Sequence, residues 1–472
     1  MNQFKNNKKM GRENQPIAQL NYKRTFLIGL AFLSISAFWQ MYDTIIPLML
    51  QNTFGMKETV TGILMAMDNV LALFLLPLFG TMSDRTNTKI GKRMPYILTG
   101  TVLAVFFLLI LPIAQEQVNL PIFIGALFAL LVSMGLYRSP AVALMPDLTP
   151  NHLRSKGNAV INLMGAVGGV YTLLMIKFLV KGNESSYFPL TISVTGIMVA
   201  AVLLLFFTIR EKKLHEQADN EEREFHKQEE NNVNIQEKEI RREENLNGKN
   251  SDRAIWDEEI QTEGNQDEKM PATVKRSMIF LLASIFLWFT AYNAVTTAFS
   301  RYTRVVWHLE GGGFANCLMV ATVAAILSYI PIGYISGKIG RKKTILAGIL
   351  LMSACYLGAI FADSYHPVIN VAFALIGVGW AAINVNSYPM IVEMSRGCDI
   401  GKFTGTYYTF SMAAQIITPV LSGILLEKIS YRTLFPYAVV FSTLSFATML
   451  QVHHGDTKPE KRKSFLENFD TD

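Results

Sequence analysis

Charged residues are scarce in this chain. They make up 17% of its 472 residues, whereas about a quarter of the residues in a soluble domain carry a charge. Many of the charges fall in one stretch, residues 210–276, and long apolar runs dominate elsewhere. A run of 18 or more mostly apolar residues is long enough to span a bilayer. The composition therefore predicts an integral membrane protein.

Motifs typical of several other protein classes are missing. Three cysteines, odd in number and far apart, form no disulfide framework: Cys317, Cys355 and Cys398. No P-loop is present, which argues against transport driven by ATP. No nucleophile has a plausible triad, and His152, His215 and His226 lack metal-ligand neighbours, so we expect no enzymatic activity, no cofactor and no metal. A net charge of +6 could indicate nucleic acid binding, but Lys and Arg lie beside apolar runs, as the positive-inside rule describes.

The apolar runs predict twelve transmembrane helices. Six precede the charged stretch, at residues 25–50, 60–82, 96–114, 121–147, 157–180 and 187–209. Six follow it, at residues 277–300, 312–337, 344–362, 367–393, 404–426 and 433–450. The first run is too long for the apolar core of a signal peptide, so we interpret it as a retained helix.

This helix count divides the chain into five segments. They are an N-terminal tail (1–24), an N-terminal six-helix bundle (25–209), a charged linker (210–276), a C-terminal six-helix bundle (277–450) and a C-terminal tail (451–472). The linker is too polar to bury a core, so a disordered or partly helical connection is expected. Lys and Arg are concentrated in the tail before helix 1 and after helices 2, 4, 8 and 10. This bias predicts that both termini and the linker are cytoplasmic. We also expect a monomer that crosses the plasma membrane many times.

The two groups of six helices show an ordered internal similarity. The correspondences run along the chain at slowly drifting offsets of 254, 253 and 246 residues: Phe32 with Phe286, Gly80 with Gly333, and Arg138 with Asn384. Their order predicts a duplicated six-helix unit. Many secondary transporters are built from such repeats, with the substrate site between the halves.

Three ionisable residues lie inside predicted helices, where such residues are rare and usually face a cavity. Asp43 and Asp68 each lie about 11 Å below the outer surface. If they share a site, burial and mutual repulsion would suit them to carry a proton; alternatively, each is hydrogen-bonded separately near the outer mouth. Arg138 lies in the inner half of helix 4, and its planar donors suit sugar hydroxyls or a carboxylate. Its estimated depth differs by about 10 Å from that of Asp43, so a direct pair between them stays open.

Amide and aromatic side chains within the helices are candidates to line a substrate path. Sugar hydroxyls need donors and acceptors, and the C–H faces of sugars stack on aromatic rings. The alternative is that the amides join helices and the aromatic rings anchor them at the membrane surface. The predicted substrate-binding residues are Trp39, Gln40, Tyr42, Asn69, Arg138, Tyr292, Asn293, Trp380, Asn384, Asn386 and Gln415.

Two related charged motifs follow helices 2 and 8. The first begins Gly80-Thr-Met-Ser-Asp84-Arg85 and ends with Lys92-Arg93. The second runs from Gly333 to Gly340-Arg341-Lys342-Lys343. Small residues allow close helix packing, and the charges can hydrogen-bond at helix ends to hold one conformation; simple positive-inside charge is the alternative. We assign to a cytoplasmic gate Gly80, Asp84, Arg85, Gly91, Lys92, Arg93, Asp147, Arg154, Gly333, Gly337, Gly340, Arg341, Lys342, Glu393 and Arg396.

The two motifs are similar to the signature loop of the major facilitator superfamily. This resemblance implies an all-α membrane protein with twelve transmembrane helices in two pseudo-symmetric six-helix bundles. The longer spacer of the first copy, together with Arg138-Ser-Pro140 and Met145-Pro146-Asp147, also resembles the glycoside–pentoside–hexuronide:cation symporters and the sucrose transporters. That second resemblance implies a sugar or glycoside substrate, such as one like sucrose or maltose, moved by alternating access with cation coupling.

The chain departs from these relatives at the cation sites. Sodium-coupled melibiose-type permeases carry Asp just before the helix 2 Pro and one turn earlier, where this chain has Leu76 and Ala72. Plant sucrose transporters carry Asp eleven residues before the helix 4 Arg, where this chain has Leu127. We therefore favour proton coupling through Asp43, Asp68 and Arg138, with the C-terminal bundle mainly shaping the substrate site. An exporter, a lipid-type carrier and a non-transporting sugar sensor that signals through the linker stay open.

Overall fold

The computed structural model of the chain describes residues 20–150, 153–181, 186–218, 220–221, 223, 271–395 and 400–456. Twelve helices in these ranges are long and apolar enough to span a membrane. The N half contains α1 (Tyr22–Asn52), α2 (Glu58–Asp84), α3 (Met94–Glu116), α4 (Leu120–Asp147), α5 (Arg154–Leu179) and α6 (Phe188–Thr208). The C half contains α7 (Ala272–Val306), α8 (Ala315–Ile339), α9 (Arg341–Ile360), α10 (Val368–Met394), α11 (Ile400–Lys428) and α12 (Leu434–Leu450).

The number and order of the helices confirm the sequence prediction, but most helices extend beyond their apolar runs. Helix α7 has 35 residues and begins inside the segment assigned to the charged linker. Helix α1 begins after Asn21, whose side chain accepts a hydrogen bond from the backbone N–H of Arg24. Asn119 caps α4 in the same way. Such caps satisfy the backbone N–H groups at the start of a helix. The helix can therefore extend into the polar region, beyond the apolar run that hydropathy detects.

Helix packing repeats between the two halves. In the N half, α1 packs on α5 and α6, α3 packs on α4 and α6, and α2 packs on α4. In the C half, α7 packs on α11 and α12, α9 packs on α10 and α12, and α8 packs on α10. These are the same five pairings, which confirms the predicted pseudo-symmetry of two six-helix bundles.

Glycine brings equivalent helix pairs close together in both halves. A Cβ atom on Gly100 in α3 would lie 2.8 Å from the backbone nitrogen of Tyr137 in α4. A Cβ atom on Gly348 in α9 would lie 2.7 Å from the carbonyl oxygen of Gly379 in α10. Small residues at such crossings let membrane helices approach at the backbone.

The two halves meet mainly through α2 with α11, α5 with α8, and α1 with α7. We call the side where α1 begins and α12 ends the terminal face, and the opposite side the far face. The close contacts lie at the far face. A Cβ atom on Gly62 in α2 would lie 2.2 Å from the carbonyl oxygen of Pro419 in α11. Before α8, the backbone N–H of Gly312 donates to the carbonyl of Val180, just after α5, at 2.9 Å.

Toward the terminal face the halves separate. The buried residues of α2 are concentrated at its far-face end, and only Ser83 is buried near its terminal-face end. At the terminal-face end of α8, Ile335 and Ile339 are 44% and 43% exposed. The hydrogen bonds from Gly312 to Val180 and from Thr59 to Glu427 join described parts of the two halves at the far face, so we interpret the structure as closed at the far face and open toward the terminal face.

Candidate functional site

The three intramembrane ionisable residues lie close together. Asp43 precedes the end of α1 by nine residues, and Asp68 follows the start of α2 by ten, so both lie about 15 Å from the far-face helix ends. Both residues are half-buried. Asp43 interacts electrostatically with Asp68 and Arg138, and Asp68 interacts with Arg138. The estimated depth difference between Asp43 and Arg138 therefore does not keep their charges apart.

Arg138 is placed by its neighbours in α4. The hydroxyl of Tyr137 donates to the carbonyl of Ala31 in α1 at 3.0 Å. The hydroxyl of Ser139 donates to the carbonyl of Leu76 in α2 at 2.8 Å. These two bonds fix α4 against α1 and α2 on either side of Arg138, so the guanidinium lies beside both aspartate-bearing helices.

Arg138 contacts an aromatic ring. Its Cζ atom lies 5.4 Å from the ring centroid of Trp39, within the range of a cation–π contact. Asp68 accepts a hydrogen bond of 2.7 Å from Asn69 Nδ2. Among the described residues, the ion pairs within 4.0 Å include none between Arg138 and either carboxylate. The direct Asp43–Arg138 pair that the sequence left open is thus not formed in this conformation.

Several buried polar atoms of α1 and α7 lack a hydrogen-bond partner. Trp39 and Tyr42 pack edge to face with ring centroids 5.3 Å apart. Within the described part of the chain, Trp39 Nε1, Tyr42 Oη and Asn293 Nδ2 are buried without a partner. Buried polar groups are nearly always hydrogen-bonded, so these atoms are available donors for a polar ligand.

The C half contributes an aromatic platform. The rings of Tyr292 in α7 and Trp380 in α10 stack with centroids 3.8 Å apart and planes within 3° of parallel. Phe289 meets Trp380 edge to face at 5.3 Å. Tyr292 and Trp380 are half-buried, so part of their surface stays accessible for stacking.

The remaining predicted lining residues divide into two groups. Gln40, Asn384 and Gln415 are half-buried, and Gln415 Nε2 makes only a long bond of 3.4 Å to the carbonyl of Ser411. Asn386 differs, because it is 1% exposed and its Nδ2 donates to the carbonyl of Ala382 at 2.8 Å. Its amide is bonded within its own helix and does not line an open path in this conformation.

The first charged motif forms a cluster within the N half. Arg93 Nε lies 2.8 Å from Asp147 Oδ2, and Lys92 Nζ lies 3.2 Å from the same oxygen. Arg93 also contacts Asp84 and Ser83 and donates to the carbonyl of Gly80 at 3.4 Å. This cluster ties α2, α3 and α4 together.

Other predicted gate residues are placed differently. Arg154 donates to the carbonyls of Pro146 and Thr149, each at 3.2 Å, because the chain turns back before α5. Arg85 is exposed. Gly333 and Gly337 have open space where a Cβ atom would stand, so neither permits a close helix contact in this conformation.

The second charged motif binds within the C half. Arg341 Nη1 lies 2.5 Å from Glu393 Oε2, and Lys342 Nζ donates to the carbonyl of Leu450. Each motif therefore holds its own half together at the terminal face. Some predicted residues lie outside the described ranges: His152, His226, Arg396 and Cys398.

Two carboxylates that were not predicted from the sequence accept hydrogen bonds from backbone N–H groups at the starts of α3 and α9. Glu211, 2% exposed, follows α6 and accepts bonds from the backbone N–H groups of residues 92, 93 and 94, each at 2.9 Å. Asp456 follows α12 and accepts a bond of 3.2 Å from the N–H of Lys342. Gly91 and Gly340 have positive φ values of 123° and 98°, and a Cβ atom on either would strike the carboxylate. The two acids are 245 residues apart, the offset expected of the repeat.

Known proteins are similar to this chain in sequence and in fold. The family model of the Major Facilitator Superfamily matches residues 28–328 and 281–469. The isoprimeverose transporter of Lactiplantibacillus pentosus is 21% identical over 80% of this chain and 71% of its own length. The sucrose transport protein SUT1 of Oryza sativa subsp. japonica is 23% identical over 32% of each chain.

Solved structures share the fold at low identity. The inward-open xylose transporter XylE from E. coli superposes with a TM-score of 0.60 at 15% identity, over 93% of this chain and 97% of that one. Shorter matches also occur, in which this chain spans only 26–37% of the length of the curated relatives. The family model covers most of the chain, whereas these likenesses show the arrangement of the helices and not the solute.

Proposed function

Because the chain belongs to the Major Facilitator Superfamily, we propose that it moves a sugar or glycoside across the plasma membrane by proton-coupled symport. The family makes the chain a multi-pass membrane transporter and not an enzyme. The finer proposal, of solute and coupling ion, rests mainly on one observation. It is the cluster of Asp43, Asp68 and Arg138 in the N half, beside donors that lack partners.

The substrate class follows from the chemistry of the side chains. Trp39 Nε1 and Asn293 Nδ2 are buried donors without partners, and hydroxyl groups of a sugar can accept from both. The stacked rings of Tyr292 and Trp380 offer a flat apolar surface for the C–H face of a pyranose. An isoprimeverose transporter and a sucrose transport protein among the relatives agree with this choice.

The coupling ion follows from the charges. Two carboxylates and one guanidinium give the cluster a net charge of −1 when all are ionised, and uptake of one proton would neutralise it. Ionisable residues at membrane depth commonly form proton relays in transporters. In this proposal Asp43 and Asp68 carry the proton, while Arg138 positions a carboxylate or a sugar hydroxyl.

The conformation supplies the transport step. The far face is closed and the cleft opens to the terminal face, which the charge bias predicts to be cytoplasmic. We therefore interpret this conformation as the one that releases solute and proton inside the cell. Alternating access then requires the halves to close at the terminal face and open at the far face.

The proposal is tested in proteoliposomes with a panel of labelled disaccharides. Wild-type protein should accumulate at least one sugar under an inward proton gradient, and a pH indicator should report the accompanying proton. Asp68→Asn should abolish accumulation and retain exchange of sugar between the two sides, because exchange needs no net proton movement. Asp363→Asn, an exposed change in the α9–α10 connection, is the matched control. The absence of uptake for every sugar, or full accumulation by both Asp43→Asn and Asp68→Asn, would refute the proposal.

A further inference from the structure

Glu58, the first residue of α2, is a buried carboxylate whose partners belong to the other half of the molecule. It is 4% exposed, and Arg301 near the end of α7 is 6% exposed. Arg301 Nε lies 2.9 Å from Oε1 and 3.0 Å from Oε2 of Glu58. The hydroxyl of Tyr431, before α12, donates to Oε1 at 2.6 Å. We call these three residues the far-face latch.

The latch lies where the backbones of α2 and α11 approach each other closely. A Cβ atom on Gly423 in α11 would lie 2.8 Å from the carbonyl oxygen of Glu58. The next residue, Thr59, donates its backbone N–H to Glu427 Oε2 at 3.0 Å. These contacts exclude water from the ion pair, and they can persist only while α2 stays against α11.

The position of the latch makes its energy depend on conformation. When the far face is closed, both charges are shielded from water and each is compensated only by the other. When the far face opens, both charges regain water. Removing one partner of a buried pair leaves an uncompensated buried charge, which is strongly unfavourable. Removing one partner therefore destabilises the far-face-closed state and not the far-face-open state. The equilibrium between the two states shifts by this difference in destabilisation.

We propose that Glu58, Arg301 and Tyr431 hold the far face closed and set the ratio between the two transport conformations. They are positioning residues, since none is among the residues assigned to the solute. The inference does not depend on which solute is carried. It follows from the ion pair between the halves, and it would stand if the sugar proposal failed.

An ion pair of the same face provides the control. Arg432 Nη1 lies 2.5 Å from Asp363 Oδ1, both side chains are exposed, and both belong to the C half. An exposed pair contributes little, and this one stays intact whichever face is open. Its removal should leave the conformational ratio unchanged.

The test measures distances between spin labels on the full chain in nanodiscs. The three native cysteines are replaced, and labels are placed at exposed positions of opposite halves. Gln117 and Val368 report on the far face, and Ile90 and Ile339 report on the terminal face. Glu58→Gln and Arg301→Gln should each raise the ratio of far-face-open to far-face-closed molecules by ~10-fold or more. The 117–368 distance should lengthen, and the 90–339 distance should shorten.

Two further variants keep the test decisive if a single change impairs folding. Tyr431→Phe removes one hydrogen bond and leaves the charges, so it should shift the ratio in the same direction by a smaller factor. The exchanged pair Glu58→Arg with Arg301→Glu should move the ratio back toward that of the wild type. Unchanged distances in Glu58→Gln, Arg301→Gln and Tyr431→Phe would overturn the proposal, and so would an equal shift in Asp363→Asn.

Discussion

Replacing Glu211 with alanine removes the carboxylate that closes the start of α3. Three backbone N–H groups lose a charged acceptor at 2.9 Å. A hydrogen bond to a charged group contributes about 1.5–3 kcal/mol. The three bonds share one carboxylate and water can replace part of them, so the expected loss of stability is about 2–4 kcal/mol. At about 2.1 cal/mol/K of unfolding entropy per residue, that loss corresponds to a fall of the thermal midpoint of about 2–4 °C.

The assay is thermal unfolding of the detergent-purified protein, followed by far-ultraviolet circular dichroism. Glu216→Ala removes an exposed carboxylate from the same segment and should change the stability by less than about 0.5 kcal/mol. Asp456→Ala loses a single bond of 3.2 Å in the C half, so about 1 kcal/mol is expected. Equal midpoints for Glu211→Ala and Glu216→Ala would refute the reasoning.

A double-mutant cycle separates the capping contact from backbone strain. A Cβ atom on Gly91 would lie 2.1 Å from Glu211 Oε2, and the φ of Gly91 is 123°. Gly91→Ala should therefore destabilise the protein both by displacing the carboxylate and by straining the backbone. Only the first effect disappears when Glu211 is already alanine, so the two changes should be less than additive. Strict additivity would mean that the carboxylate does not occupy this position.

Two further predictions concern the solute site and the interface between the halves. Trp380→Ala removes the ring that stacks on Tyr292 at 3.8 Å and should raise the KM of sugar exchange by ~10-fold, since an aromatic contact contributes about 0.5–1.5 kcal/mol beyond its buried area. An unchanged KM would exclude this platform from the site. Gly62→Ala places a methyl group 2.2 Å from the carbonyl oxygen of Pro419 and should favour the far-face-open state in the same spin-label measurement. Gly125→Ala, with open space around it, should have no effect, and equal behaviour of the two variants would contradict the close packing of α2 on α11.

The fold follows from the sequence to a large extent, because one physical requirement governs it. Every backbone group in a bilayer must be hydrogen-bonded within the protein, so an apolar run of sufficient length forms a helix. That requirement yields twelve helices and their order. It does not yield their ends, since α7 continues through Arg301 and Arg304 to Val306. A polar helical turn beyond the apolar run has no hydropathy signal.

The candidate site is predictable only where burial makes a residue conspicuous. Asp43, Asp68 and Arg138 stand out because charge is rare at membrane depth. Whether they interact is not predictable by counting residues along straight parallel helices, and the electrostatic interaction of Asp43 with Arg138 became evident only from the packing of α1 on α4. Asn386 illustrates a different limit. Its amide was predicted to line the substrate path, but an amide within a helix can instead donate to the backbone of the same helix.

The carboxylates of Glu58 and Glu211 were not predictable by the same reasoning. Each stands next to a helix end among other charges, where a solvated side chain is the ordinary expectation. Their partners lie far away in sequence, 243 residues for Arg301 and 117–119 residues for the start of α3. Only the packing of the helices brings these groups together, and the pattern of apolar and polar residues along the sequence does not predict that packing.

The distribution of these charges bears on how the halves move. At the terminal face, the clusters around Arg93 and Arg341 each bind within one half, so they stiffen a bundle without joining it to the other. At the far face, Glu58 joins α2 to α7 across the interface. The halves can therefore rotate as rigid bodies while their internal ion pairs stay intact, as packed units do in domain motions. Opening the far face therefore breaks an ion pair on the α2–α11 side. On the α5–α8 side it breaks a neutral backbone hydrogen bond, from Gly312 to Val180.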